Sequence, residues 1–238
     1  MMTIRMGTRG SFRPPASYGG VSEGVNEPGD PCAPSAPRPW SNGAVRVVAI
    51  LLAAGEGRRM GGPKALLRLG EETFLARACA LFSAAGVPPL VVLGAEAGRV
   101  RGEAGIPAEA VVAVNARWRE GMLTSVWTGL DAAEGLGAEA VLVHPVDNPF
   151  VAPGTIASVL AALAGGAAIA VPSHEGRRGH PAGFARSVWP ALRGAPVGGG
   201  ARTVLQARPD LVVHVPAGPD CLVDLDTPAD LDAATRLR

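Results

Sequence analysis

The chain has 238 residues, 47% hydrophobic and 18% charged, which is enough for one ordinary α/β domain and too little for a second large one. No run of about eighteen uninterrupted apolar residues occurs, which argues against a membrane-spanning helix, and 22 basic against 21 acidic residues leave a net charge of +1, which offers a nucleic acid no basic surface to follow. The three cysteines, Cys32, Cys79 and Cys221, form no CxxC pair, so neither a disulfide framework nor a zinc site is suggested and a reducing cytoplasm is the expected setting.

Residues 1–44 contain 7 Gly, 7 Pro and no leucine. Such a composition buries too little apolar surface to offset chain entropy, so the segment is expected to be a disordered tail, or the product of a start codon called too early. It has no apolar central run of the kind a secretory signal needs. From residue 45 the pattern changes. Residues 45–53 (VRVVAILLA) are a continuous apolar run, as expected of a central strand covered on both faces. A helix is predicted over 73–85, with Phe74, Leu75, Ala78, Leu81 and Phe82 on one stripe and Gly86 to end it. Strands follow at 90–93 and 110–114, around a weaker helix at 95–105. Next come a helix at 122–133, a strand at 140–143, a helix at 153–163 and a strand at 167–171. Short helices near 187–192 and 201–207, strands at 211–215 and 222–225, and a helix over 227–237 capped by Asp226 or Thr227 complete the chain. Alternating strands and helices predict an α/β domain over 45–238: three layers, Rossmann-like, with a mostly parallel sheet.

The chemistry concentrates after the first strand, in Ala53-Ala54-Gly55-Glu56-Gly57-Arg58-Arg59-Met60-Gly61-Gly62-Pro63-Lys64. A glycine-rich loop at the carboxyl end of a buried strand brings backbone NH groups close to an anion. The dinucleotide fingerprint GxGxxG fails at Met60, which argues against a hydride-transferring enzyme, and the phosphate loop GxxxxGK[ST] fails because Pro63 precedes Lys64 and Ala65 follows it. Lys64 is also the one lysine among the 22 basic residues, so in a chain this biased toward arginine it is expected to do what the broad guanidinium fork cannot.

The string LLAAGEGRRMGGPKALLRLGEETFL, residues 51–75, resembles the signature of the MobA-like nucleotidyltransferase superfamily, written roughly LAAGxGxRMGxxKxLL, and looks most like molybdenum cofactor cytidylyltransferases. Three further stretches follow in that superfamily's order: Asn115-Ala116-Arg117-Trp118-Arg119-Glu120-Gly121 with Ser125 and Gly129-Leu130, Gly176-Arg177-Arg178-Gly179-His180-Pro181, and Asp224-Leu225-Asp226-Thr227-Pro228-Ala229-Asp230-Leu231. The resemblance implies transfer of CMP from CTP to a phosphorylated small acceptor, molybdopterin cofactor first, with release of pyrophosphate. A sugar or polyol phosphate acceptor is the alternative, and a non-catalytic carrier of the molybdenum cofactor, with a molybdoenzyme partner, is the rival of another class. Charge that builds on the α-phosphate and on the leaving pyrophosphate needs converging cations and NH donors. By resemblance these are Lys64 and Arg59, with Ala53, Ala54, Gly55 and Gly57 around the nucleotide and Asn115 and Ser125 near its base and ribose.

Magnesium is the implied cofactor, held by Asp147, in Asp147-Asn148-Pro149, and by Asp226, with Asp224 two residues earlier on the same expected strand face as the fallback. Asp226 has a competing reading as a helix cap. Arg178 and His180 are placed on the acceptor side. One departure bears on the acceptor: where relatives often carry Gly-Asp-x-Gly-Ala-Arg, this chain has Val197-Gly198-Gly199-Gly200-Ala201-Arg202 and lacks the carboxylate.

Overall fold

The computed structural model describes residues 45–236; the expectations for residues 1–44, and Cys32 with them, lie outside it. Architecture follows from the first apolar run. β1 (Val47–Ala53) is buried at every position, and its alternate residues serve two different cores. Val47, Ala49, Leu51 and Ala53 pack on one face of the sheet, Val48, Ile50 and Leu52 on the other, as the two-residue period of a strand requires.

After β1 the chain forms a small hairpin, β2 (Arg68–Leu69) and β3 (Glu72–Thr73), then α1 (Phe74–Ala84), β4 (Pro89–Leu93), α2 (Ala97–Glu103) and β5 (Val111–Val114). It continues through α3 (Met122–Gly135), β6 (Ala140–Pro145), α4 (Pro153–Ala164), β7 (Ile169–His174), β8 (Arg177–Arg178) and β9 (Ala182–Ala185). The last elements are α5 (Trp189–Gly194), α6 (Arg202–Ala207), β10 (Val212–Pro216) and α7 (Pro228–Arg236). The main sheet has the order β10-β7-β9-β6-β1-β4-β5, with β8 paired to β7. Only β8 and β9 run antiparallel to their neighbours. Apolar residues of α1, α2 and α4 join one core, those of α3, α5 and α6 the other, which makes the three layers expected from the sequence.

Local chemistry fixes the helix ends. Thr73 Oγ1 caps α1 by accepting from the Ala76 NH at 3.0 Å, and Pro153 begins α4, where its missing NH costs nothing. At α7 the Thr227 hydroxyl accepts from the Asp230 NH at 3.3 Å, while the Asp230 carboxylate accepts from the NH groups of Asp226 and Thr227 at 3.1 and 2.8 Å. This reciprocal cap leaves the Asp226 side chain free of capping duty.

Two expectations are corrected. β9 was not foreseen: its sequence AGFA is short and contains a glycine, yet it pairs with β6 on one side and β7 on the other. Residues 222–225, expected as a strand, have no ladder. The segment instead makes isolated backbone bonds, Leu225 NH to the Asp147 carbonyl at 2.8 Å and His180 NH to the Cys221 carbonyl at 2.9 Å. Asp224 therefore does not share a strand face with Asp226. Cys79 and Cys221 are buried free thiols, and among the described residues no helix is long and apolar enough to cross a membrane.

Candidate active site

The chain leaves β1 for β4 and β5 on one side of the sheet and then crosses to β6 on the other, so the strand order reverses between β1 and β6. In open α/β sheets the crevice at the carboxyl ends of such strands is where ligands bind. A cavity of about 380 Å³ lies at this place, lined by Leu52, Ala53, Ala54 and Gly55 from the end of β1, by Gly57 to Met60, and by Pro145, Val146 and Asp147 from the end of β6.

The loop after β1 keeps its course because of Gly57. Its φ is +63°, and a Cβ there would lie 1.9 Å from the Gly62 carbonyl oxygen, so the position admits only glycine. The Gly57 carbonyl in turn accepts from the NH groups of Met60 and Gly62, folding the loop back on itself and leading through Pro63 to Lys64.

Lys64 Nζ donates to Asp147 Oδ2 at 2.7 Å and to Asp226 Oδ1 at 2.5 Å. The two aspartates come from positions 79 residues apart and meet because the Asp147 carbonyl holds the Leu225 NH. Burial pulls the Lys64 ammonium down, but the hydrogen bonds and charges of Asp147 and Asp226 outweigh it and hold its pKa above the ordinary value. The hydrogen bond from Lys64, with the charges of Lys64 and Arg59, holds the Asp226 carboxyl below the usual carboxylate range. Arg59 Nη2 stands 3.6 Å from Asp226 and is mostly exposed, a cation at the cavity mouth.

Two carboxylates that converge on a single cation suit a hard divalent ion that takes its remaining ligands from phosphate oxygens and water. Among the described residues no group of three or more His, Cys, Asp or Glu side chains forms a metal cage. The residues present fit such an ion.

The site residues read from sequence divide into groups. Ala53, Ala54, Gly55, Gly57, Arg59, Lys64, Ser125, Asp147 and Asp226 line the one cavity together. Asn115 does not. It is buried, donating to Thr124 Oγ1 at 2.8 Å and Ser125 Oγ at 2.9 Å and accepting from the Arg117 NH at 2.8 Å, so it shapes the wall from behind. Trp118 and Met122 also line the cavity and were given no role from sequence, though a tryptophan amid the polar turn after β5 was the available signal.

Arg178 and His180 line a second, more apolar cavity of about 860 Å³, together with Arg177 and Arg202, which shares Leu52, Met122 and Pro145 with the first. Burial pushes the His180 imidazole down despite the nearby charges of Asp224 and Asp147, so the positive charge there comes from the arginines. The Nδ1 atoms of His180 and His144 and Oδ1 of Asn148 are buried without a hydrogen-bond partner among the described residues. Asp224 accepts from Asn148 Nδ2 at 3.4 Å, and burial holds its carboxyl above the usual range.

A sheet that reverses beside its first strand, with a glycine-rich loop and a lysine between two aspartates at the reversal, defines a nucleotide-binding α/β domain of the Rossmann-like type. The chain belongs to the MobA-like NTP transferase domain family, whose model matches residues 49–212. It is 36% identical over 197 residues to a molybdenum cofactor guanylyltransferase of Acidiphilium cryptum, covering 78% of this chain and 92% of that protein. It is 42% identical over 131 residues to a 2-C-methyl-D-erythritol 4-phosphate cytidylyltransferase of Cereibacter sphaeroides, covering 52% of this chain and 57% of the relative. The latter match therefore spans little more than half of that relative's length. In fold it is similar to the manganese complex of Rv0371C from Mycobacterium tuberculosis, with a TM-score of 0.62 and 24% identity over 81% of this chain and 99% of the other.

Proposed function

We propose that residues 45–238 transfer CMP from CTP to a phosphorylated small acceptor, molybdopterin cofactor in the first instance, and release pyrophosphate. The observation that carries this reading is Lys64 held between Asp147 and Asp226 beneath the glycine-rich loop, at the reversal of the sheet. An acceptor phosphate oxygen attacks the α-phosphorus of the nucleotide; the bond from that phosphorus to the oxygen bridging to the β-phosphate breaks, and pyrophosphate departs. The attacking oxygen is already ionised at neutral pH, so the reaction asks for no general base. It asks for cations where charge builds up.

Lys64 meets the α-phosphate and Arg59 the β- and γ-phosphates, while the backbone from Ala53 to Gly57 and Ser125 on α3 hold the rest of the nucleotide. Asp147 and Asp226 would hold magnesium, which neutralises the triphosphate when bound. That a structural neighbour is a manganese complex supports divalent-ion use. Arg178, with Arg177 and Arg202, takes the anionic part of the acceptor, and His180, neutral, lines the same cavity.

CTP is preferred on the resemblance of Ala53-Ala54-Gly55 to the cytidylyltransferase form. The 42% identity to an enzyme named for a polyol phosphate favours a second reading, in which the acceptor is a polyol phosphate.

The test is magnesium-dependent pyrophosphate release from CTP, GTP, UTP and ATP in turn, with molybdopterin cofactor, a polyol phosphate and a sugar phosphate as acceptors. CTP with the pterin is expected to give turnover, and Lys64→Ala to lower kcat by ~100- to 1,000-fold, the usual effect of removing one group that stabilises developing charge. Turnover in the variant within a few-fold of wild type would show that the catalytic centre lies elsewhere. Nucleotide binding without turnover for any acceptor would favour the carrier.

A further inference from the structure

We infer that Trp118 is the stacking wall for the nucleobase. This rests on the nucleotide occupying the first cavity. Every charged side chain that lines that cavity, Arg58, Arg59, Lys64, Asp147 and Asp226, belongs to the loop after β1 or to the aspartate pair, which makes that part the phosphate end. Away from these charges the lining side chains that α3 and its approach contribute are Trp118, Met122 and Ser125, and Trp118 is the only aromatic ring among the lining residues.

The backbone is built to bring this ring in. A Cβ on Gly94 would lie 2.7 Å from Trp118 Cβ, 2.7 Å from the Ala54 carbonyl oxygen and 2.8 Å from Ala54 Cβ. Trp118 and Ala54 thus close over Gly94, and the ring is set beside the alanine of the nucleotide loop. From the other direction the turn carrying it is pinned by Asn115, which accepts from the Arg117 NH at 2.8 Å and donates to Thr124 and Ser125. Arg119, which does not line the cavity, places its guanidinium 4.3 Å from the ring centroid. A cation over one face stabilises the ring's position and leaves the opposite face to a planar partner. Trp118 is half-buried, so it keeps surface to offer. Stacking on an aromatic ring is tolerant of base identity and contributes ~1–3 kcal/mol per base, about 5- to 150-fold in affinity. Trp118 therefore sets how tightly a nucleoside triphosphate is held, and selection among bases falls to other groups of the wall.

The test compares full-length wild type with Trp118→Leu, which fills the space without a π face, and Trp118→Phe, which restores one. Binding of CTP and GTP is measured by calorimetry with magnesium, and inorganic tripolyphosphate, which has the phosphates and no base, is the control probe. Trp118→Leu is expected to weaken both nucleotides by ~10- to 100-fold and tripolyphosphate by less than twofold, with Trp118→Phe recovering most of the loss. Unchanged nucleotide binding in Trp118→Leu, or an equal loss for tripolyphosphate, would overturn the assignment. Should the leucine variant not fold, photo-cross-linking of 5-iodo-CTP to wild type followed by peptide mapping decides the matter: adducts at Trp118 support it, and adducts confined to other residues overturn it. A wild type that binds no nucleotide would overturn the proposed function together with this inference, whereas binding that ignores position 118 overturns this inference alone.

Discussion

Asn115 illustrates how a residue can shape a cavity without lining it. Its side-chain amide spends both donors on Thr124 and Ser125 and its oxygen on the Arg117 NH, so it ties the end of β5 to the start of α3. Asn115→Ala leaves these partners without it in a buried place, which costs ~1–3 kcal/mol. The expected outcome is lower stability by urea unfolding and a raised KM for the nucleotide with kcat little changed; a folded variant with wild-type KM would show that the turn keeps its shape without the amide. Sequence alone found this asparagine and could not show its partners, because a polar residue after a strand looks the same whether it faces a ligand or two hydroxyls. Lys64, Asp147 and Asp226 were legible, the first as a lone lysine in a glycine-rich loop and the others after apolar segments. What could not be read was which of the two cap candidates, Asp226 and Thr227, would serve, and that Asp230 would complete the α7 cap with Thr227, leaving the Asp226 carboxylate for Lys64.

Among the elements, those with long or strongly periodic patterns were readable: β1, α1, α3 and α4 lie within a few residues of where periodicity put them. β9 was hidden because four residues, two of them alanine and one glycine, carry little strand preference, and its place in the sheet is set by partners that sequence does not reveal. Glycine at its centre has a packing reason. A Cβ on Gly183 would lie 2.8 Å from Val159 Cγ1 and 2.9 Å from Leu163 Cδ1, so α4 sits directly on the bare backbone. Gly183→Val is expected to lower stability by about 3 kcal/mol, read as a shift of the denaturant midpoint at constant m-value. Gly154→Ala on α4, where nothing lies within 4 Å, should move it by less than ~1 kcal/mol. Equal effects from the two would show that α4 can withdraw from the sheet at no cost. The 222–225 segment failed in the opposite direction, since Leu222, Val223 and Leu225 look like a strand but only Leu225 of the three is buried.

For the whole molecule, the buried imidazoles make folding depend on acidity. Burial pushes His144 down to about 3, with the charge of His180 acting the same way, and His180 itself is pushed down. An unfolded chain takes up these protons below pH ~6.5 while the folded one refuses them, so stability is full above that pH and falls as the pH drops toward 3. The slope from His144 alone is ~1.4 kcal/mol per pH unit. Asp224, whose carboxyl burial holds up, acts in the opposite sense and softens the decline. Denaturant midpoints at pH 7.5, 6.5 and 5.5 should therefore decrease in order, with a flatter decline in His144→Gln; an unchanged slope in that variant would assign the effect to other groups.

The direction of β9 also bears on how substrates can diverge within such a fold. Because it runs against β6 and β7, it begins where they end, so residues 175–181 lead into it at the rim that holds Lys64 and the chain leaves it at the far rim. Insertions, deletions or exchanges in that one loop can recut the second cavity while the strand order, the aspartate pair and the glycine-rich loop stay as they are. The reversal at β9 thus gives evolution an adjustable entrance on an otherwise fixed machine.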